Sequence, residues 1–304
     1  MDHLSPVVLA GHLVREVDGW RVLDDLGRVW RLGQVEPAVV RALQQCTGHL
    51  SPAALAGDLP DDVLATFWNL IDDLAEAGVL RPVSTGARVA VIGSGRLALA
   101  TCLALCALGP ARLVLTDVGP PDMMLYPRTL ASTGAAALQQ ALRAEVGVEH
   151  DLVVGGHWID LNREQVDVAV VATPTVLPDR AITDHLVRTR IPHLVTNQHR
   201  QAAHVGPVVV PGRGACLCCD DIVRSAADPA WPGCVATLSR TASTGDPRML
   251  DWAAQQAALT VAGGLDRAVP GQLWSASVTG GIRSRDWAPH PDCPCRVDVA
   301  VNAA

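Results

Sequence analysis

The chain contains no lysine; all 24 of its basic residues are arginine. P-loop phosphate binding, Schiff-base catalysis and lysine-assisted adenylation therefore lack their usual residue. Aromatic rings other than tryptophan are nearly absent, with one Phe (Phe67) and one Tyr (Tyr126) beside eight Trp. No apolar run approaches the roughly 18 residues that a membrane-spanning helix needs. The opening MDHLSPVVLAGHL has neither the basic segment nor the cleavage site of a secretory signal. Both absences predict a soluble, cytosolic protein. A cationic excess is missing too: a net charge of -7 gives no electrostatic case for nucleic acid or an anionic membrane. What is present is a globular composition, 49% apolar and 18% charged over 304 residues. That length suits one large domain or two modest ones.

The most informative stretch is RVAVIGSGRLALATCLALCALGPARLVLTD, from Arg88 to Asp117. Arg88–Ile92 reads as a strand buried on both faces. It enters a G-x-G-x-x-A turn at Gly93, Gly95 and Ala98, followed by an apolar helix that stops at Gly109-Pro110. A second strand, Arg112–Thr116, ends on Asp117. Strand, glycine turn, helix, strand and acid make the first βαβ unit of a nucleotide-binding α/β domain. Gly93 permits the tight turn, Gly95 lets backbone approach a phosphate, and Asp117 stands where a carboxylate accepts from ribose hydroxyls. Further strands at Leu152–Val154, Val166–Ala172, His193–Thr196 and Val205–Val210 alternate with helices near 134–145 and 180–189. The alternation predicts a mostly parallel, doubly wound sheet.

Ahead of it, residues 11–32 read as three short strands with turns at Asp18-Gly19 and Asp24–Gly27. Helices are expected from Glu36-Pro37, over 53–56 and over 61–77, the last with Val63, Phe67, Leu70, Ile71 and Leu74 at helical spacing. Three strands and three helices in about 80 residues predict a small winged-helix-like module (1–83), separated by an Arg81–Gly86 linker from a second domain (87–304). Winged helices often bind DNA, but the third helix carries Asp61, Asp62, Asp72, Asp73 and Glu76, which repel phosphates. An open strand edge beside an apolar helix suits an added peptide strand instead. A purely structural cap on the second domain is the alternative.

Four of the nine cysteines form two tight pairs, Cys216/Cys219 and Cys293/Cys295. Brought together, two such pairs make a four-sulfur tetrahedral site, the usual structural zinc arrangement with no open position for catalysis. Cys218 and Cys234 would be bystanders and His290 a substitute ligand; a redox dithiol or separate buried thiols are the other readings.

The glycine turn, Asp117 and the cysteine pairs together resemble the ThiF/ubiquitin-activating E1-like family over residues 87–304. The segments GACLCCDDIVR, DPAWP and HPDCPC are similar to those of E1-like proteins from azole-forming peptide biosynthesis. The front module resembles the PqqD-like element with which such proteins grip a precursor's leader peptide. The resemblance implies a Rossmann-type fold, structural zinc, a homodimer, and a nucleotide site at Gly93, Gly95, Asp117 and Arg128. The departures concern catalysis. Where the family has D-x-D the chain has Asp117-Val118-Gly119, Ala135-Ala136 follow Gly134 where a Lys is usual, and Thr173-Pro174-Thr175 replace the magnesium-binding acid. Each electrostatic contact to a transferring phosphate is worth roughly 3–4 kcal/mol, so losing cation and acid together removes adenylation and leaves at most weak ATP/Mg2+ binding.

The expected function is thus a non-adenylating scaffold that presents a precursor peptide to a YcaO-type ATP-dependent cyclodehydratase. The leader would add along Arg28, Val29, Trp30, Arg31 and Leu32, beside Leu64, Trp68 and Ile71, with Arg28 and Arg31 meeting its acids. The alternatives are an active adenylyltransferase using Arg128 or Arg96, and a dinucleotide-dependent oxidoreductase exploiting Asp117.

Overall fold

The computed structural model describes residues 3, 7–24, 27–47, 50–82, 87–109, 111–147, 150–265 and 267–295. The chain divides into two compact units, Met1–Thr85 and Gly86–Ala304.

The first unit contains β1 (Val7–Leu9), β2 (His12–Glu16), β3 (Gly19–Leu23), β4 (Val29–Gly33), α1 (Pro37–Gln44), α2 (Pro52–Ala56), α3 (Asp61–Glu76) and β5 (Leu80–Pro82). Strands β2, β3 and β4 form an antiparallel meander, so β4 is an edge. Pro37 opens α1, where a missing N–H costs nothing, and the Ser51 hydroxyl caps α2 by accepting from the Ala54 amide. Helix α3 packs on α1, α2 and β5. Phe67, Leu43 and Ile71 are fully buried between these elements, each burial worth about 1.5–3 kcal/mol. The pairing of β1 with β5 was not foreseen. Val7 and Leu80 are buried, and they draw the two ends of the unit together. The stretch expected to be a linker therefore begins as strand, and its residues 83–86 lie outside the described residues.

The second unit is an eight-stranded sheet. In chain order its elements are β6 (Arg88–Ile92), α4 (Arg96–Ala107), β7 (Arg112–Thr116), α5 (Gly134–Glu145), β8 (Asp151–Val154), β9 (Val168–Val171), α6 (Arg180–Arg188), β10 (His193–His199), β11 (Ala202–Val209), α7 (Leu217–Ala227), α8 (Trp231–Leu238), α9 (Pro247–Ala262), β12 (Gln272–Ser277) and β13 (Gly281–Asp286). The strand order is β13-β12-β11-β10-β9-β6-β7-β8. Strands β8, β7, β6, β9 and β10 run parallel, as the alternation predicted.

Beyond β10 the prediction needs correcting: β11, β12 and β13 each pair antiparallel with their neighbour. Only Arg200 and Gln201 separate β10 from β11, too few for the crossover helix that a parallel connection requires. Strand β6 explains the continuous apolar run at the start. Val89 and Val91 face a core with α4, α5 and α9, whereas Ala90 and Ile92 face a second core with α6 and α7. Helix α9 lays Ala253, Ala254, Ala257 and Ala258 onto the first core, their small side chains allowing close packing against α4. Among the described residues no helix is long and apolar enough to cross a membrane.

Candidate nucleotide cradle, metal centre and strand edge

The glycine turn lies between β6 and α4, where a parallel sheet places its ligand crevice. Gly93 has φ of 119°, and a Cβ there would run into the Ala172 carbonyl, so only glycine fits. Beside the turn is a cavity of about 300 Å3 lined by Gly93, Thr116, Asp117, Thr173, Pro174 and Asp179, among others. Several polar groups in and beside it already have partners within the chain. The Ser94 hydroxyl donates to Asp117 Oδ2 at 2.6 Å, and the Gly119 amide donates to Oδ1 at 3.0 Å. The Tyr126 hydroxyl donates to the Ser94 carbonyl at 2.6 Å. Asp179 caps α6 by accepting from the Ala181 amide at 2.9 Å. A Cβ on Gly95 would lie 3.0 Å from Pro174, which thus occupies the approach that Gly95 was expected to leave for a phosphate.

Among the described residues no arginine lines this cavity, and the chain has no lysine to supply a cation. Arg128, expected as a nucleotide ligand, is exposed on the loop after β7 and does not line the cavity. The Pro-rich segment around it forms no element that would turn its side chain inward.

The four sulfurs of Cys216, Cys219, Cys293 and Cys295 do converge, all within 4.8 Å of one another. The pairs Cys216–Cys293 and Cys219–Cys295 are 3.6 Å apart and Cys216–Cys219 is 3.9 Å. Zinc–sulfur bonds of about 2.3 Å in a tetrahedron put sulfurs roughly 3.8 Å apart, so the donor set fits that ion. Cys216 caps α7 and Cys219 lies in its first turn, where the helix dipole favours thiolates. Burial pushes the Cys216 thiol far up, and burial plus hydrogen bonding with Cys293 and Cys219 pushes Cys295 to about 12. Packed thiols resist ionising together, and a divalent cation removes that penalty. Cys218 packs beside the cluster outside the four, and Cys234 is exposed. His290 is no substitute ligand: its Nδ1 accepts from the Asp292 amide, and it stands outside the group.

On the first unit, β4 alternates exposed and half-buried residues. Val29 and Arg31 point outward, while Trp30 and Leu32 rest on the core. Arg28 is already committed, with Nε 2.7 Å from Asp24 Oδ2 and its guanidinium 5.0 Å over the Trp30 ring. Arg31 is exposed on that edge, with no ion pair among the described residues. Leu64 and Trp68 are half-buried, His3 stacks on Trp68 at 4.7 Å, and Ile71 is interior core, unavailable to line a groove.

A larger cavity, about 580 Å3, was not read from the sequence. It lies where β10–β13 meet α7 and α8, lined by Asn197, His204, Arg224, Arg283, Arg285 and Trp287 among others. The one sequence signal was Arg283 and Arg285 two apart in β13, on one face of the strand.

Fold and sites together define an α/β protein with a mixed eight-stranded sheet and a cluster of four cysteines that could hold a metal ion. No known protein family and no curated protein matches the chain. Solved structures of E. coli MccB do match in fold. The ATP complex of MccB has a TM-score of 0.54 at 15% identity, covering 96% of this chain and 99% of that one. The Microcin C7 biosynthetic enzyme MccB with N-formylated MccA gives 0.53 at 15% identity, with 95% and 99% covered.

Proposed function

We propose that this protein is a leader-peptide-binding, E1-like scaffold that presents a ribosomal precursor peptide to a YcaO-type cyclodehydratase and does not itself adenylate. The observation that carries the reading is Asp117: both carboxylate oxygens are taken by the chain's own donors, in a cavity that no arginine among the described residues lines. A triphosphate there would meet two carboxylates and no fixed cation, the reverse of what stabilises a transferring phosphoryl group. The leader adds along the exposed edge of β4, with Arg31 facing its acids and Trp30 and Leu32 holding the strand on the core. The four-cysteine centre holds zinc as a staple, since four protein sulfurs leave no position for water or substrate. A biosynthetic enzyme of the same fold that is seen with N-formylated MccA supports a role in handling a partner chain.

Calorimetry with ATP and magnesium, followed by a candidate leader peptide, tests this reading. Peptide binding without nucleotide binding is expected, and Val29→Asp with Arg31→Glu should abolish it while both units stay folded. Tight ATP binding with ATP–pyrophosphate exchange would overturn it in favour of an adenylyltransferase. The ATP complex of MccB is the observation on that side.

A further inference from the structure

Both ends of the eight-stranded sheet are edges, and the fold treats them differently. At β8 the Gln139 side-chain amide donates to the Leu152 carbonyl at 2.7 Å, and Asp151 is matched by Arg112 at 3.5 Å. That edge is capped and its charge is balanced. At β13 all six residues are exposed, and among the described residues no side chain bonds to the strand's backbone. Strand β12 takes only one side of it, in an unbroken antiparallel register from Gln272↔Asp286 to Ser277↔Gly281. Alternate residues of β13 therefore point N–H and C=O groups away from the sheet, along about 20 Å of chain. A row of that kind is a template for an added strand.

Charge narrows what would add there. Arg283 and Arg285 lie two apart, opposite Ser275 and Leu273 of β12, and both line the cavity over β10–β13. The other arginines of that cavity are matched: Arg180 pairs with Asp221 and Arg224 with Asp220, each at 2.6 Å. Arg285 is left 3.9 Å from Asp220 and 5.2 Å over the Trp287 ring, and Arg283 has no ion pair among the described residues. Burial holds His199 down, and holds His204 down to about 4, so both rings are neutral at pH 7. The positive excess thus sits on the free edge itself, in a chain of net charge -7. It also decides between occupants. Two copies of β13 paired antiparallel about Ser284 would set Arg283 of one against Arg285 of the other, and like charges directly opposite are destabilising. An acidic strand meets the same two arginines with carboxylates.

We propose that β13 accepts an extended acidic peptide as a ninth strand, with two carboxylates two residues apart set against Arg283 and Arg285. The pleat dictates that spacing, since residues i and i+2 of an added strand share one face. The backbone ladder supplies affinity and the two arginines supply selectivity. This edge is separate from β4, so it stands or falls independently of leader capture there.

The test follows backbone hydrogen exchange of the full chain by mass spectrometry as peptides are added. The probe is the acetylated, amidated hexapeptide Thr-Asp-Val-Asp-Val-Thr. Its controls are the same peptide with both Asp changed to Asn, the isomer Thr-Asp-Asp-Val-Val-Thr with adjacent acids, and two copies N-methylated on either alternate set of amides. Saturable slowing of exchange over residues 281–286 is expected with the probe and not with the Asn or adjacent-acid peptide. Methylating one alternate set should abolish the slowing and methylating the other should not, because only one set faces β13. Arg283→Gln, at an exposed side chain without an ion pair, should weaken binding about fivefold and leave exchange elsewhere unchanged. The proposal fails if residues 281–286 stay unprotected at millimolar probe, or if protection appears only over 29–33. It fails equally if either control sequence protects as well as the probe, if both methylated copies bind alike, or if Arg283→Gln binds unchanged. Protection of 281–286 that rises with the concentration of the chain alone would assign the edge to a second copy and overturn it too.

Discussion

The cavity at the glycine turn and the arginine-lined cavity over β10–β13 are built on one sheet, and their polar groups are disposed in opposite ways. At the turn, the carboxylate of Asp117 is satisfied from within the chain and, among the described residues, no arginine lines the cavity. Over the antiparallel strands, arginines outnumber carboxylates. A fold can keep the geometry of one site while its chemistry moves to another. Retained turn geometry at Gly93 is evidence of fold and not of binding.

The largest effect that would break the comparison comes through the metal. Helix α7 starts at the cysteine centre and supplies Asp220 and Arg224 to the larger cavity. Stripping the metal, or Cys216→Ser, should cost the second unit on the order of 5 kcal/mol. Metal analysis should return one zinc per chain. A zinc-free protein of unchanged thermal stability would remove the staple from the account.

Next in size is an acid sensitivity centred on His193. Its ring is fully buried, with Nδ1 donating to the Ile191 carbonyl and Nε2 unpartnered, and burial holds it down at about 4 against an ordinary 6.5. The unfolded chain therefore takes up a proton near pH 6.5 that the folded chain refuses until near pH 4. Stability should fall as pH drops through that window, by about 3 kcal/mol from this residue, and flatten below it. Urea unfolding at pH 7, 5.5 and 4 measures the slope. His193→Gln should reduce the slope, and an unchanged slope would assign the acid sensitivity to other groups.

Smaller still is the pair that closes one wall of the arginine cavity. Arg180 reaches both oxygens of Asp221, at 2.6 and 2.9 Å, and the Trp231 indole donates to the same carboxylate at 2.9 Å. Both ionic side chains are about four-fifths buried. Arg180→Ala leaves Asp221 half-answered and should destabilise the second unit by about 2 kcal/mol, whereas Arg180→Ala with Asp221→Asn should recover part of that loss.

How much of this was legible beforehand follows from how local each feature is. Strand β6, its glycine turn and α4 were readable because hydrophobic period, positive-φ glycine and helix stop all lie within twenty-two residues. The cysteine centre was readable because the ligand chemistry restricts which residues can serve, even though Cys216 and Cys293 are 77 residues apart. The β1–β5 pairing was not, because nothing in Val7–Leu9 specifies a partner some seventy residues on. Arg128 and Ile71 show the opposite failure: suitable residue types that the fold left outside, or sealed inside, the places expected of them. The arginine cavity needed strands β10–β13 and helices α6–α8 in place before its lining residues, spread from Leu177 to Trp287, could come together.

The smallest expected effect bears most directly on whether the glycine-turn cavity takes nucleotide. Ser94→Ala removes one charge-assisted hydrogen bond from Asp117, which should cost about 1–2 kcal/mol because the carboxylate is half-buried. It also frees Oδ2 to accept from a ribose hydroxyl. If the missing cation is what keeps nucleotide away, calorimetry with ATP and magnesium will show no binding to this variant. If the self-satisfied carboxylate is what keeps it away, binding will appear once Oδ2 is released. In the second case the cavity was latched shut and not stripped of its chemistry, and the contrast with the arginine cavity would become one between a closed site and an open one.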